Sequence, residues 1–114
     1  MTLADTPAPP YFAVIFTSLR TAEDAGYGQM LEEMVRLAEA QPGFLGVESA
    51  RDELGLTVSY WRDQDSIAAW KRQVDHLGAQ RLGRERWYAA YRVRIARVER
   101  EYGFARDNGE TRDA

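Results

Sequence analysis

The chain has 114 residues, one histidine, no cysteine and a formal net charge of −3. That length fits one domain, short enough that a large enclosed site needs a second subunit. The lack of cysteine excludes disulfides, thiolate metal sites and cysteine nucleophiles, while 45% hydrophobic and 29% charged residues describe a soluble, globular chain.

Residues 1–10 are Pro-rich and polar and read as a disordered arm. They lack the basic start and apolar run of a signal peptide. No stretch reaches membrane-spanning length, so a cytoplasmic protein is expected. Tyr11 to Leu19 is apolar almost without alternation, the pattern of a strand covered on both faces. Thr21-x-x-Asp24 offers a capping box for a following helix. There Tyr27, Met30, Leu31, Met34, Val35, Leu37 and Ala38 recur at helical spacing, with Glu32, Glu33, Arg36 and Glu39 on the other side. Gln41-Pro42-Gly43 stops that helix.

Phe44 to Arg51 and Leu56 to Arg62 read as two strands of a hairpin around the polar turn Asp52-Glu53-Leu54-Gly55. In the second strand Leu56, Val58 and Tyr60 face one way, and Thr57, Ser59 and Trp61 the other. Asp63 or Asp65 can cap a second helix with an apolar stripe of Ile67, Trp70, Val74 and Leu77. The helical pattern runs on from Leu82 to Tyr88, but Gly78 and Gly83 weaken it, and a break is expected between Gln73 and Gly78. Tyr91 to Glu101 reads as a last strand, with a bulge near Ala96. Residues 104–114 read as a disordered tail, which leaves 11–103 as the domain.

The order strand-helix-strand-strand-helix-strand is the ferredoxin-like βαββαβ arrangement, an α+β fold with a four-stranded antiparallel sheet. Right-handed crossovers put both helices on one face. The other face is left bare, and a second copy of the chain is its simplest cover, giving a homodimer.

Charge is uneven. Residues 1–69 hold four Arg against eleven acids, whereas 70–100 hold nine basic residues against three acids. The basic residues interleave with apolar ones and acids, so an anionic small molecule or an acidic partner face fits better than nucleic acid. One His and no Cys cannot build a His-rich metal site within one chain. No phosphate-binding glycine loop and no nucleophile elbow is present. His76 is therefore a structural residue, a general base or substrate hydrogen-bond partner, or an axial haem ligand. Trp61, Trp70 and the Trp87-Tyr88-Tyr91 cluster have packing as their first role.

Gln41-Pro42-Gly43-Phe44-Leu45-Gly46, Thr57-Val58-Ser59-Tyr60-Trp61, Ala69-Trp70-Lys71 and Asp75-His76-Leu77 together resemble the antibiotic biosynthesis monooxygenase (ABM) family. The resemblance covers about residues 11–103 and implies a dimeric α/β barrel with an apolar pocket between sheet and helices in each subunit. In its cofactor-independent oxygenases a strand Trp similar to Trp61 lines the pocket. Their Asn four residues earlier is Thr57 here, and their Tyr six residues later is Ile67. In its haem-degrading members a helix Trp is similar to Trp70. Their iron-binding His falls where this chain has Gln80, and their first-strand Asn has no counterpart near Phe16 or Thr17.

The resemblance thus implies a monooxygenase-type oxidoreductase with no cofactor and no metal, oxidising a phenolic or quinol-like aromatic molecule with O₂. His76 would be the base. Trp61, Trp70, Tyr60, Gln80 and Arg81 would contact the substrate, Arg81 as partner for its anion. The competing readings are a non-catalytic ligand-binding or stress-associated dimer and, against the Gln80 substitution, a haem-degrading enzyme. No membrane or nucleic-acid partner is expected.

Overall fold

A computed structural model describes residues 2–106. Four strands form one antiparallel sheet in the order β2-β3-β1-β4. They are β1 (Tyr11–Arg20), β2 (Phe44–Arg51), β3 (Gly55–Trp61) and β4 (Tyr88–Val98). The helices are α1 (Tyr27–Glu39), α2 (Gln64–Leu77) and a single turn, α3 (Ala79–Leu82), followed by a wide helical turn at Gly83–Trp87. The sheet is open and not closed into a barrel within the chain.

The apolar run of β1 is explained by its central place, hydrogen-bonded to β3 on one side and β4 on the other. The pairings Phe12–Trp61, Val14–Ser59 and Phe16–Thr57 put those side chains on one face. That face carries the core: Val14, Ala38, Trp61 and Ile67, with Phe12, Phe44 and Trp70 packed against it. Both helices therefore lie on one side, as the crossover rule requires. They pack chiefly over β2 and β3.

Several local expectations are corrected. Thr21 and Asp24 do not cap α1. Its N-cap is Gly26, in the left-handed region at φ 80°. The Thr21 hydroxyl donates to the Arg86 carbonyl, while Asp24 pairs with Arg20 at 2.7 Å. These contacts fix the chain between β1 and α1 before the helix begins. β4 spans Tyr88–Val98, not Tyr91–Glu101, and the irregularity lies beside Leu19 and Arg20, not at Ala96. There the pairing passes from Ala90 to Tyr88 as the Arg20 guanidinium and the Thr21 amide turn to the Trp87 carbonyl. Asp63, of the two candidates, caps α2 and accepts from the Ser66 amide at 2.8 Å. The expected break falls at Gly78, whose φ of 76° ends α2.

On the open face of the sheet, Leu19 and Leu56 are exposed. Residues 2–10 form no helix or strand, yet Ala4 donates its amide to Glu48. Thr6 donates to Glu101 at 2.8 Å and lies 3.1 Å from the Tyr11 hydroxyl. Of the expected C-terminal tail, residues 107–114 lie outside the described part. Among the described residues no helix is long and apolar enough to cross a membrane.

Candidate functional site

Trp61 ends β3 on the helix side and is fully buried. Its indole stacks on Trp70 of α2 with ring centroids 5.1 Å apart, and Phe44 meets it edge-on at 5.3 Å. The stack follows from two local facts. Asp63 starts α2 two residues after β3 ends, so the helix folds straight back over the strand. Trp70 then shares a helix face with Ile67 and Val74, both buried. The Trp61 Nε1–H donates to Ser59 Oγ at 2.9 Å, two residues back on the same face. The Trp70 Nε1–H is also buried but meets no acceptor among the described residues.

The register adds a wall that the alternation alone did not locate. Ile95 pairs with Val14 and Val93 with Phe16, so both project on the helix side. They are 52% and 42% exposed, because the helices lie chiefly over β2 and β3 and α1 meets β4 at its start, through Tyr27 and Tyr88. An apolar strip therefore runs beside the tryptophan layer. Arg97, paired with Phe12, stands at one end of it, and its guanidinium is 3.5 Å from Glu99. Strand alternation puts Val93 and Ile95 on one face but has no means of choosing which. Only the pairing partner decides it.

At the other end of that side lies an aromatic group. Phe16 stacks on Tyr91 at 5.3 Å and meets Tyr88 edge-on. The Tyr88 hydroxyl donates to Tyr27, and Arg20 sits 3.4 Å from the Tyr27 ring centroid. Burial, then the bond to Tyr27, pushes the Tyr88 phenol above its ordinary range. Trp87 is buried and donates to the Ala25 carbonyl, so it holds the α1 start and is part of the core.

The remaining sequence candidates are scattered. Tyr60 lies on the open face, donating to Glu48 at 2.7 Å and set edge-on to Tyr11. Burial, then Glu48, raises its phenol pKa. Gln80 is half-buried and accepts from Lys71 at 3.0 Å. Arg81 is exposed, 3.6 Å from Glu85. His76 is exposed in the last turn of α2. Six residues after Trp70, it lies about 120° round the helix axis, and α2 runs unbroken between them. Trp61 and Trp70 are brought together. Among the described residues no hydrogen bond or ring contact joins Tyr60, His76, Gln80 or Arg81 to that pair.

Comparison with known proteins agrees with this architecture. Residues 10–82 match the family model for antibiotic biosynthesis monooxygenase. The chain is 48% identical over 110 residues to the uncharacterised protein YqjZ of Bacillus subtilis (strain 168), covering 95% of this chain and 96% of that one. Among solved structures it is similar to SnoaB, a cofactor-independent oxygenase from Streptomyces nogalater. The TM-score is 0.68 at 12% identity, over 82% of this chain and 97% of that one. It is also similar to PA3566 from Pseudomonas aeruginosa, with a TM-score of 0.61 at 18% identity, over 83% and 98% of the two chains. With the family model covering more than half of its length and the βαββαβ sheet in place, this chain belongs to the antibiotic biosynthesis monooxygenase family.

Proposed function

We propose that the protein is a cofactor-independent monooxygenase that oxidises a phenolic or quinol-like aromatic molecule with O₂, working as a homodimer joined through the open sheet face. The observation that carries this reading is the Trp61–Trp70 stack beside the uncovered strip of Val93 and Ile95. A flat, electron-rich ring is the ligand that such a layer suits, since stacked and edge-on contacts add to its burial. The name of the SnoaB relative points the same way.

The chemistry asks little of the protein. A phenol that loses its proton to water as it enters the site becomes electron-rich enough to reduce O₂. One oxygen atom becomes a ring carbonyl and the other leaves as water, so a phenol and O₂ give a quinone and water. All four electrons come from the ring. The protein contributes desolvation and orientation. His76 stands on the solvent side of α2, and we assign it no step.

Oxygen uptake with a panel of naphthols, anthrones and hydroquinones tests the reading, run with a chelator and without flavin. Uptake is expected to be saturable, with one atom of labelled O₂ in the product. Uptake no faster than buffer across the panel would leave the binding-only dimer as the better account.

A further inference from the structure

The three tryptophans differ in one respect that packing does not explain. An indole has one N–H donor and no acceptor. Trp61 donates to Ser59 Oγ at 2.9 Å and Trp87 to the Ala25 carbonyl at 3.0 Å. Trp70 Nε1 is buried with no acceptor among the described residues. A buried donor without a partner is costly and uncommon. The Trp70 side chain is only half-buried and packs against the core cluster, yet its nitrogen is wholly buried. Apolar packing at this point of α2 needs no N–H, and a Phe would serve it.

We propose that the Trp70 Nε1–H binds an oxygen of the ligand, a ring carbonyl or phenolate, and so selects oxygenated aromatics over hydrocarbons of the same shape. Trp61 is excluded from this role because Ser59 already takes its N–H. A donor-only group favours an acceptor, and most of all a charged one. It therefore binds a phenolate better than a phenol, and a quinone better than the arene. Because the nitrogen is buried, the ligand's oxygen reaches it when the Trp70 side chain shifts out of its packed position against the core. This rests on the proposed function for the class of ligand, but not on any turnover.

The test uses the full chain, ¹⁵N-labelled, with 1,4-naphthoquinone as the probe and naphthalene as its acceptor-free counterpart. The three indole signals are assigned with single Trp→Phe variants. Naphthoquinone is expected to move the Trp70 indole proton downfield in a saturable way, and naphthalene to leave it nearly in place. Trp70→Phe keeps a ring to stack on Trp61 and should weaken naphthoquinone binding about threefold to tenfold, with naphthalene binding unchanged. An unmoved Trp70 signal up to the probe's solubility overturns the inference. So does a Trp70→Phe protein that binds naphthoquinone as tightly as the parent. If that variant unfolds, the titration of the parent protein decides alone. A shifted Trp70 signal with no oxygen uptake would retain the binding site and reject the reaction; uptake with an unmoved signal would do the reverse.

Discussion

Ser59→Ala is the sharpest probe of the tryptophan layer. Ser59 is 6% exposed and Trp61 0%, so water cannot replace the lost hydroxyl without entering the core. The substitution removes almost no volume but leaves the Trp61 N–H unpaired. A stranded buried donor costs about 1–3 kcal/mol. Taking ~2 kcal/mol, and roughly 3–6 °C per kcal/mol for a domain of this size, the melting temperature should fall by about 6–12 °C. A double-mutant cycle separates this from packing. Trp61→Phe carries its own cost from the smaller ring, but on that background Ser59→Ala should cost under ~0.5 kcal/mol because no donor remains. Urea unfolding of the four proteins supplies the free energies, with equal slopes as the check on two-state behaviour. Equal costs for Ser59→Ala in both backgrounds would refute the hydrogen bond as the tie that holds Trp61 in place.

Three further outcomes are expected. Gly43 has a φ of 88°, and a Cβ there would come within 2.7 Å of the Ser66 Cβ; Gly43→Ala should therefore destabilise by about 1–3 kcal/mol in chemical denaturation, and a neutral result would mean that the Gln41–Phe44 turn is not held as described. The phenols of Tyr11, Tyr60 and Tyr88 are raised, chiefly by burial. Their neutral forms add stability that is fully present below pH ~10 and fades as pH climbs above it towards the folded values, so ultraviolet difference titration against single Tyr→Phe variants should show these three phenols ionising late, together with unfolding; ionisation of any of them in the ordinary phenol range would contradict its burial. His76→Ala should leave turnover within about twofold, whereas removing a true general base costs ~10²–10⁴-fold; a loss of that size with a flattened pH profile would restore His76 to the site.

The fold was legible because its signals are local. The double-sided apolar run of β1, the hairpin of β2 and β3 and the helical stripes of α1 and α2 each mark one element, and the chirality of crossovers then leaves few arrangements. The misread boundaries share a different cause. Thr21 and Asp24 have the chemistry of a cap, but the Thr21 hydroxyl donates to the Arg86 carbonyl, brought in from far along the chain, and the Asp24 carboxylate accepts from Arg20 at the end of β1. The start of β4 was missed because Trp87-Tyr88 looks helical until the Trp87 carbonyl is seen accepting from β1 and Thr21.

The site was less legible because it depends on which donors are already spent. Similar oxygenases, as the sequence resemblance implies, carry an Asn where this chain has Thr57 and a Tyr where it has Ile67. Ile67 is buried against Val14, Ala38 and Trp61, so that position supplies core and no polar contact. Thr57 sits opposite Phe16, beside the aromatic group rather than the stack. The strand tryptophan, Trp61, matches the family but has its N–H tied to Ser59. A phenolic ligand in this layer thus loses the polar partners that the resemblance supplies, and a site of apolar walls alone would bind rings with little regard for their oxygens. Under the proposed function, discrimination then calls for a donor on the helix side. Trp70, read from sequence as a wall, is the residue that still has one to give.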